Sequence, residues 1–443
     1  MRPRRALVRH LVLVTLAAIW IGLVVQSITY RKALWFHYYV VDLVWLQYLF
    51  LVLAVFGGTI LLLGGLSRRP RPGRWPVLPP VSVIIPAKDE VRAVEGAVRT
   101  ACAQDYRGPL EVIVVDDHST DGTSQLLERL AVELPIKVVR TPPGSIGKAA
   151  ALTAGVAHSR GELLAVFDAD ARLGPHVLAQ MVPHLADPRV GAAQGRRLVY
   201  NGHRNWLTRV QEDEYRVFQT LLQRARQAVG SFVCLAGNGL IVKRAALDAV
   251  GGWNDEALTE DIDLAVRLHL AGWEIRYVYD AEIWEEAVVT LRDLIRQRER
   301  WFEGALLCLG DYLPDILLST RVPLLRRLDM MFFLSGSLLS ALAALTGYVY
   351  AMIGLAPAAV VFTQLPRHTM AWASAVLSAG LFVSMTAEVG YRPWRLIGVM
   401  GRWTVFSFHT LVIVPMAIRR YVYTAITGQR DWRKTAHEGA ASP

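Results

Sequence analysis

Cysteine is scarce in this sequence. Cys102, Cys234 and Cys308 are its only three, and they lie far apart. That spacing excludes a disulfide framework and a structural zinc site, and buried free thiols are expected. There is no internal repeat and no low-complexity tract, which sets aside solenoids and fibrous arrays. A phosphate loop is missing as well. The Gly147-Lys148 pair lacks the leading glycine, because position 142 is Pro, and Ala149 stands where Ser or Thr is needed. This argues against a nucleotide-driven transporter. Charge is sparse, at 19% of 443 residues against 53% hydrophobic. Mean hydropathy is +0.30. A soluble enzyme is rarely so apolar, so membrane segments are expected, with room left for one globular domain. The net charge of +10 fits cytoplasmic flanks of a membrane protein better than nucleic-acid binding.

The apolar runs set the organisation. Residues 11–30 follow the basic arm MRPRRALVRH and are long enough to span a bilayer. No small-residue cleavage site stands out and a second run follows at 43–66, so an anchor is expected in place of a cleaved signal. The stretch SRRPRPGRWPVLPP then reads as a linker near lipid headgroups. Two crossings put both basic segments inside. Residues 1–70 are thus expected to hold two transmembrane helices. Between 78 and 289 the apolar β-branched runs VSVIIP, LEVIVVDD and ELLAVFDAD alternate with helical patterns. That alternation predicts a mostly parallel sheet with helices on both faces, and ligands at the carboxyl ends of its strands. Residues 290–320 read as amphipathic interface helices, with Leu291, Leu294, Ile295, Trp301, Phe302, Ala305 and Leu306 on an apolar side. C-terminal spans are expected within 328–420, from runs at 330–353, 370–389 and 397–418. Three crossings would place the basic tail outside. A cytoplasmic tail at 421–443 therefore needs one run to be re-entrant, or a tight pair within 330–363.

Acids gather at the strand ends. The run 166-VFDAD-170 closes with Asp168 and Asp170, and two carboxylates this close can converge on one hard cation with substrate phosphates. The run 113-IVVDDHSTDGT-123 ends in Asp116 and Asp117, read either as a capped turn or as acceptors for a base or sugar. Lys148, at a helix N-terminus, can pair with a diphosphate or stay solvated. In 258-LTEDIDLAV-266, Thr259 caps a helix whose first turn holds Glu260, Asp261 and Asp263. Acids are favoured there by the helix dipole alone. In 297-QRERW-301, Gln297, Arg300 and Trp301 share one side of a helix and offer an aromatic platform with polar neighbours.

Taken in order, these elements resemble the membrane-embedded family 2 glycosyltransferases, which include cellulose synthase, hyaluronan synthase and the poly-N-acetylglucosamine synthase. The resemblance covers residues 80–305 by motif and the flanking runs by architecture. It implies an α/β GT-A glycosyltransferase domain facing the cytoplasm, a Rossmann-like mixed sheet flanked by transmembrane helices, in a multi-pass protein of the inner (plasma) membrane. Asp117 with Asp116 would contact the uridine of a UDP-sugar, and Lys148 its diphosphate. The loop 86-PAKDE-90 adds Ala87 and Glu90 to the donor side. Asp168 and Asp170 would hold Mg²⁺ or Mn²⁺, Asp168 also touching the donor. Asp261 would be the general base. Glu260, Gln297, Arg300 and Trp301 would line the acceptor and diphosphate side, and 236-AGNG-239 the small-residue loop near the acceptor.

The sequence departs from the family's pattern at three places. D-D-H-S replaces D-D-G-S, Lys88 occupies the first loop, and the proline expected before Q-x-x-R-W is missing near Val288. The implied activity is processive extension of a β-linked polysaccharide with coupled export and accessory export subunits. The alternatives are transfer of a single sugar to a lipid, or an inactive membrane scaffold.

Overall fold

The computed structural model describes residues 70–336 except 146, residues 393–428, and a few helical positions within 58–62 and 382–386. The expected span at 11–30, most of 330–353, and all but those few positions of 43–66 and 370–389 lie outside the described residues.

An eight-stranded sheet forms the centre, in the order β3-β2-β1-β4-β7-β6-β8-β5. Strands β1 (Val81–Ala87), β2 (Leu110–Asp116), β3 (Ile136–Arg140) and β4 (Leu163–Val166) run parallel. The expectation of a mostly parallel sheet holds for this half. Beyond it the sheet is mixed. Strand β7 (Leu240–Lys243) is antiparallel to both β4 and β6 (Val190–Val199). Strand β8 (Glu274–Glu285) is parallel to β6, and the short β5 (Arg172–Leu173) closes the edge against it.

The central strands are continuous apolar runs because both of their faces are covered. Ile84, Ile113, Val115, Leu164 and Val166 point to one core. Val81, Val83, Ile85, Val112, Val114, Leu163 and Ala165 point to the other. The alternation is the two-residue period of the strand. Each fully buried Val, Leu or Ile contributes about 1.5–3 kcal/mol before chain entropy is counted.

Helices α1 (Val94–Cys102), α2 (Thr123–Glu133) and α4 (Val177–Met181) cover the second core. The first core is covered by α3 (Lys148–Ala157), α7 (Arg244–Ala249), α8 (Glu260–Leu270) and α9 (Leu291–Leu318). Between β6 and β7 run α5 (Trp206–Asp213), a π-helical segment (Glu214–Gln219) and α6 (Thr220–Ala228). Residues 324–336 form a further helix, α10.

Two helices follow at the C-terminal end, α11 (Pro393–Ser407) and α12 (His409–Thr427). Together Trp394–Thr427 is, among the described residues, the one helical stretch long and apolar enough to cross a membrane. It includes the expected run at 397–418. It also packs on the α/β body, with Phe406 against Val210, Val288 and Leu294, and Tyr421 against Leu258 and Leu307.

Helix α9 differs from its expected amphipathic layout. Leu291 is exposed, whereas Arg298, Glu299 and Glu303 are buried. The cause is pairing with distant charges. Arg298 meets Glu214 at 2.6 Å, and Glu303 meets Arg420 at 2.8 Å. A buried charge is tolerable when it is paired in this way.

Candidate active site

The parallel strands aim their carboxyl ends at one cleft, and the sequence-predicted acids stand there. At the end of β1, the Ala87 carbonyl accepts the Asp117 N–H at 2.8 Å. This fixes the β2 end beside the 86–90 loop. Asp116 and Asp117 then separate in duty. The two carboxylate oxygens of Asp116 accept from the Ser119 N–H (3.1 Å) and the Ser124 hydroxyl (2.5 Å), so Asp116 braces its own loop. Asp117 Oδ2 accepts the Gly147 N–H at 3.0 Å and lies 3.4 Å from Lys88 Nζ. Its Oδ1 is buried with no partner among the described residues. Of the two, Asp117 is the one with an acceptor to offer. Glu90 anchors the loop through its backbone, its N–H donating to Thr123 Oγ1 at 2.8 Å.

Lys148 is the first residue of α3 and reaches across the cleft. Its ammonium lies 2.5 Å from Asp168 Oδ1 and 3.3 Å from Glu260 Oε1, and it donates to the Gly237 carbonyl at 3.1 Å. Burial works against the charge, but Asp168 and Glu260 outweigh it and hold the ammonium protonated. One cation therefore ties the D-x-D turn to the first turn of α8. Asp170 is buried, and its Oδ2 accepts the Glu286 N–H at 3.0 Å.

Helix α8 carries the acid cluster, whose three members part company. Asp263 is buried as a brace, accepting from Asn254 (3.0 Å), Arg267 and the Tyr312 hydroxyl (2.7 Å). Glu260 pairs with Lys148 as described. Asp261 faces Gly237, and a Cβ built on that glycine would stand 3.1 Å from Asp261 Oδ2 and 3.3 Å from Lys148 Nζ. Gly237 has φ +73°, so both the backbone and the neighbouring groups favour glycine there. Burial, reinforced by the Glu260 charge, raises the Asp261 carboxyl to about 6. A carboxylate poised near neutral pH suits a general base.

On α9, Gln297 Oε1 and Arg300 Nε are buried and find no partner among the described residues. Buried polar atoms normally find one, and a catalytic role is one reason for an exception. Trp301 packs with Val199, Tyr215 and Ala287, and its ring faces Arg298 at 4.2 Å and Arg197 at 5.9 Å.

Glu285 and Arg197 have no counterpart among the residues expected from the sequence, and Glu285 links Arg197 to Asn238 of the AGNG stretch. Asn238 accepts the Asp168 N–H (3.2 Å) and donates to Glu285 (2.9 Å), and Glu285 lies 3.5 Å from Arg197. The segment 231–239 that delivers Asn238 has little regular structure of its own and is wired from outside. Asp329 accepts from Ser231 and Phe232, Gln223 bonds both backbone groups of Cys234, and Gln194 bonds Ala236 and Asn238. AGNG was the only local signal for it.

Residues 79–304 match the family described as "Glycosyltransferase like family 2". The chain is 34% identical over 375 residues to a beta-monoglucosyldiacylglycerol synthase of Synechocystis sp., covering 82% of this chain and 76% of that one. It is 29% identical to glucomannan 4-beta-mannosyltransferase 7 of Arabidopsis thaliana, over 74% of this chain and 60% of that protein. In fold it is similar to a mannosyltransferase of Pyrobaculum calidifontis solved with GDP-Man and Mn²⁺. The TM-score is 0.55 at 23% identity, over 79% of this chain and 97% of that one. The chain belongs to the family 2 glycosyltransferases, is an enzyme of that class, and has a GT-A-like mixed sheet.

Proposed function

We propose that this glycosyltransferase moves one sugar from a UDP-sugar onto a lipid at the membrane surface, with inversion to a β-linkage. The observation that carries this reading is its similarity, at 34% identity over 82% of the chain, to a protein named for adding one glucose to diacylglycerol. Two further proteins of that name, from Trichormus variabilis and Nostoc sp., match over the same share of the chain. The processive, polysaccharide-extending reading has less support: the glucomannan enzyme is more distant, at 29% identity. The apolar stretch Trp394–Thr427 supports a place at the membrane.

The chemistry follows from the cleft. The acceptor hydroxyl attacks the anomeric carbon from the face opposite the diphosphate. A bond forms to the acceptor oxygen as the bond from sugar carbon to diphosphate oxygen breaks. Asp261 takes the hydroxyl proton. Lys148 faces the departing diphosphate, and Asp117 Oδ1 accepts from the uracil. Gln297, Arg300 and Trp301 line the acceptor side.

Asp168 and Asp170 fit a hard divalent ion. They offer carboxylate oxygens two residues apart, and one of them already holds a cation, the Lys148 ammonium at 2.5 Å. Among the described residues no group of three or more His, Cys, Asp or Glu could hold a metal. Mg²⁺ or Mn²⁺ needs only one or two carboxylates when phosphates complete its shell. Bound there, such an ion would neutralise charge developing on the diphosphate.

The test is radiolabelled UDP-glucose, and a panel of other UDP-sugars, supplied to the full-length enzyme in vesicles containing diacylglycerol with Mg²⁺ or Mn²⁺. The expected product is a single organic-extractable glycolipid, lost on chelation. A high-molecular-weight ladder in the aqueous phase would overturn the lipid reading in favour of the polysaccharide one.

A further inference from the structure

We infer that Arg420 is a positioning residue for the acceptor half of the active site, acting through Glu303 across the joint between α12 and α9. The two helices belong to distant parts of the chain, yet the joint is polar and closed. Arg420 Nε lies 2.8 Å from Glu303 Oε2, and its Nη1 lies 3.9 Å from Glu299 Oε2. Thr424, one turn further along α12, donates to Glu303 Oε1 at 2.8 Å. Glu303 is fully buried. A buried carboxylate on α9 is costly without a cation, and Arg420 brings one.

The location of this joint ties it to the chemistry. Glu299 and Glu303 lie on α9 one turn apart, and Trp301 lies between them in sequence. Directly after Glu303, Gly304 brings α9 onto the catalytic turn, since a Cβ there would stand 2.4 Å from Thr259 Cγ2. Thr259 is followed by Glu260 and Asp261. Beside Arg420, Tyr421 packs on Leu258, the residue before Thr259, and on Leu307 of α9. Helix α12 therefore grips the carrier of Gln297, Arg300 and Trp301 and also the entry to Asp261. It sets the spacing between the base and the acceptor platform, and it touches none of the donor-side residues Asp117, Lys148, Asp168 and Asp170 in any described contact. A helix serving only as an anchor would not need to bring a cation to a buried carboxylate at this level.

The proposal rests on the lipid-transfer reading only for the choice of acceptor. Arg420→Gln, Glu303→Gln and Arg420→Lys would be assayed as full-length proteins in phosphatidylglycerol vesicles containing diacylglycerol, with donor KM, kcat, UDP affinity and Tm measured for each. Both Gln variants are expected to lose about 10- to 100-fold in kcat, the scale of a small misplacement of reacting groups. Donor KM and UDP affinity should stay within about twofold of native, as for a loss not shared with donor binding. Arg420→Lys, which keeps the charge, should recover most of the rate. Native kcat in Arg420→Gln would overturn the proposal. So would a parallel fall of kcat, donor affinity and Tm that lysine does not restore, since that marks a merely structural pair. If the native enzyme makes polymer and no glycolipid, the lipid reading fails, and the same comparison on the polymer rate still decides the role of Arg420.

Discussion

The proposed donor half and the proposed acceptor half of the cleft are built by different means. On the donor side, Asp116 ends β2 and Asp168 and Asp170 follow β4, the two parallel strands on either side of β1, and all three have partners within the sheet's own loops. Their positions follow from local sequence, because a strand that ends in a carboxylate delivers it wherever the strand is delivered. On the acceptor side, Gln297 Oε1 and Arg300 Nε are buried without partners among the described residues. The helix that carries them is held by charges on α12 and by Glu214. One half is preset by the sheet and the other is set by docked helices. The seam between them is Gly237, against which both Lys148 and Asp261 lie.

The largest expected effect cuts the acceptor side at its base. Asp261→Asn should lower kcat by about 10²–10⁴-fold, the usual contribution of a general base, with UDP binding retained. In the native enzyme kcat/KM should fall as pH drops through about 6, where the Asp261 carboxyl takes up its proton. Stability runs the opposite way. A carboxyl raised in the folded state binds its proton more tightly there than in the unfolded chain. Its contribution is most favourable at low pH and is lost as pH rises through about 6. Asp261→Asn should therefore melt no lower than native near neutral pH. Stopped-assay rates and a thermal melt across pH check both halves. A variant with near-native kcat removes Asp261 from the role of base.

The same contrast explains what could be read from the sequence. The strands, the D-x-D turn and the Lys148 helix start were legible because each is a short-range pattern, a β-branched run with a polar stop or a glycine before a helix. The acid cluster at 260–263 was legible as a set. Its division into a proposed base, a lysine partner and a brace depends on Gly237, Lys148 and Tyr312, which no local pattern brings together. Helix α9 shows the limit most plainly. Periodicity assigned its charged residues to solvent, but Glu303 is buried because Thr424, 121 residues later, and Arg420 dock on it. Glu285 escaped for the same reason, its bond to Asn238 of the AGNG stretch spanning 47 residues with no shared motif.

A substitution at the seam should disturb both halves at once. Gly237→Ala places a methyl group 3.1 Å from Asp261 Oδ2 and 3.3 Å from Lys148 Nζ. The expected loss in kcat is about 10-fold or more, since small displacements of reacting groups are costly. The left-handed backbone adds a stability cost of about 1–3 kcal/mol. Gly230→Ala separates the two effects. Gly230 has a similar φ of +68° with nothing within 4 Å of the added Cβ. It should share the fall in Tm and keep its kcat. Equal kcat losses in the two variants would mean that backbone strain, and not the crowding of Asp261 and Lys148, is responsible.

The smallest effect tests the donor half from within, at two adjacent aspartates. Asp117 has an unpartnered Oδ1, whereas both oxygens of Asp116 are committed to Ser119 and Ser124. If the free acceptor binds the nucleotide base, Asp117→Asn should weaken UDP binding by about 10-fold, the worth of one hydrogen bond to a charged group. Asp116→Asn keeps one acceptor oxygen for the loop and should leave UDP affinity within about twofold while costing about 1 kcal/mol of stability. Calorimetric titration with UDP and a thermal melt distinguish them. Equal losses of affinity would mean that the β2 end binds the base as a unit, and that the donor half is less rigidly preset than its internal bonding implies. Loss of affinity in Asp116→Asn alone would reverse the two roles and place the base on the Ser119–Ser124 side of the loop.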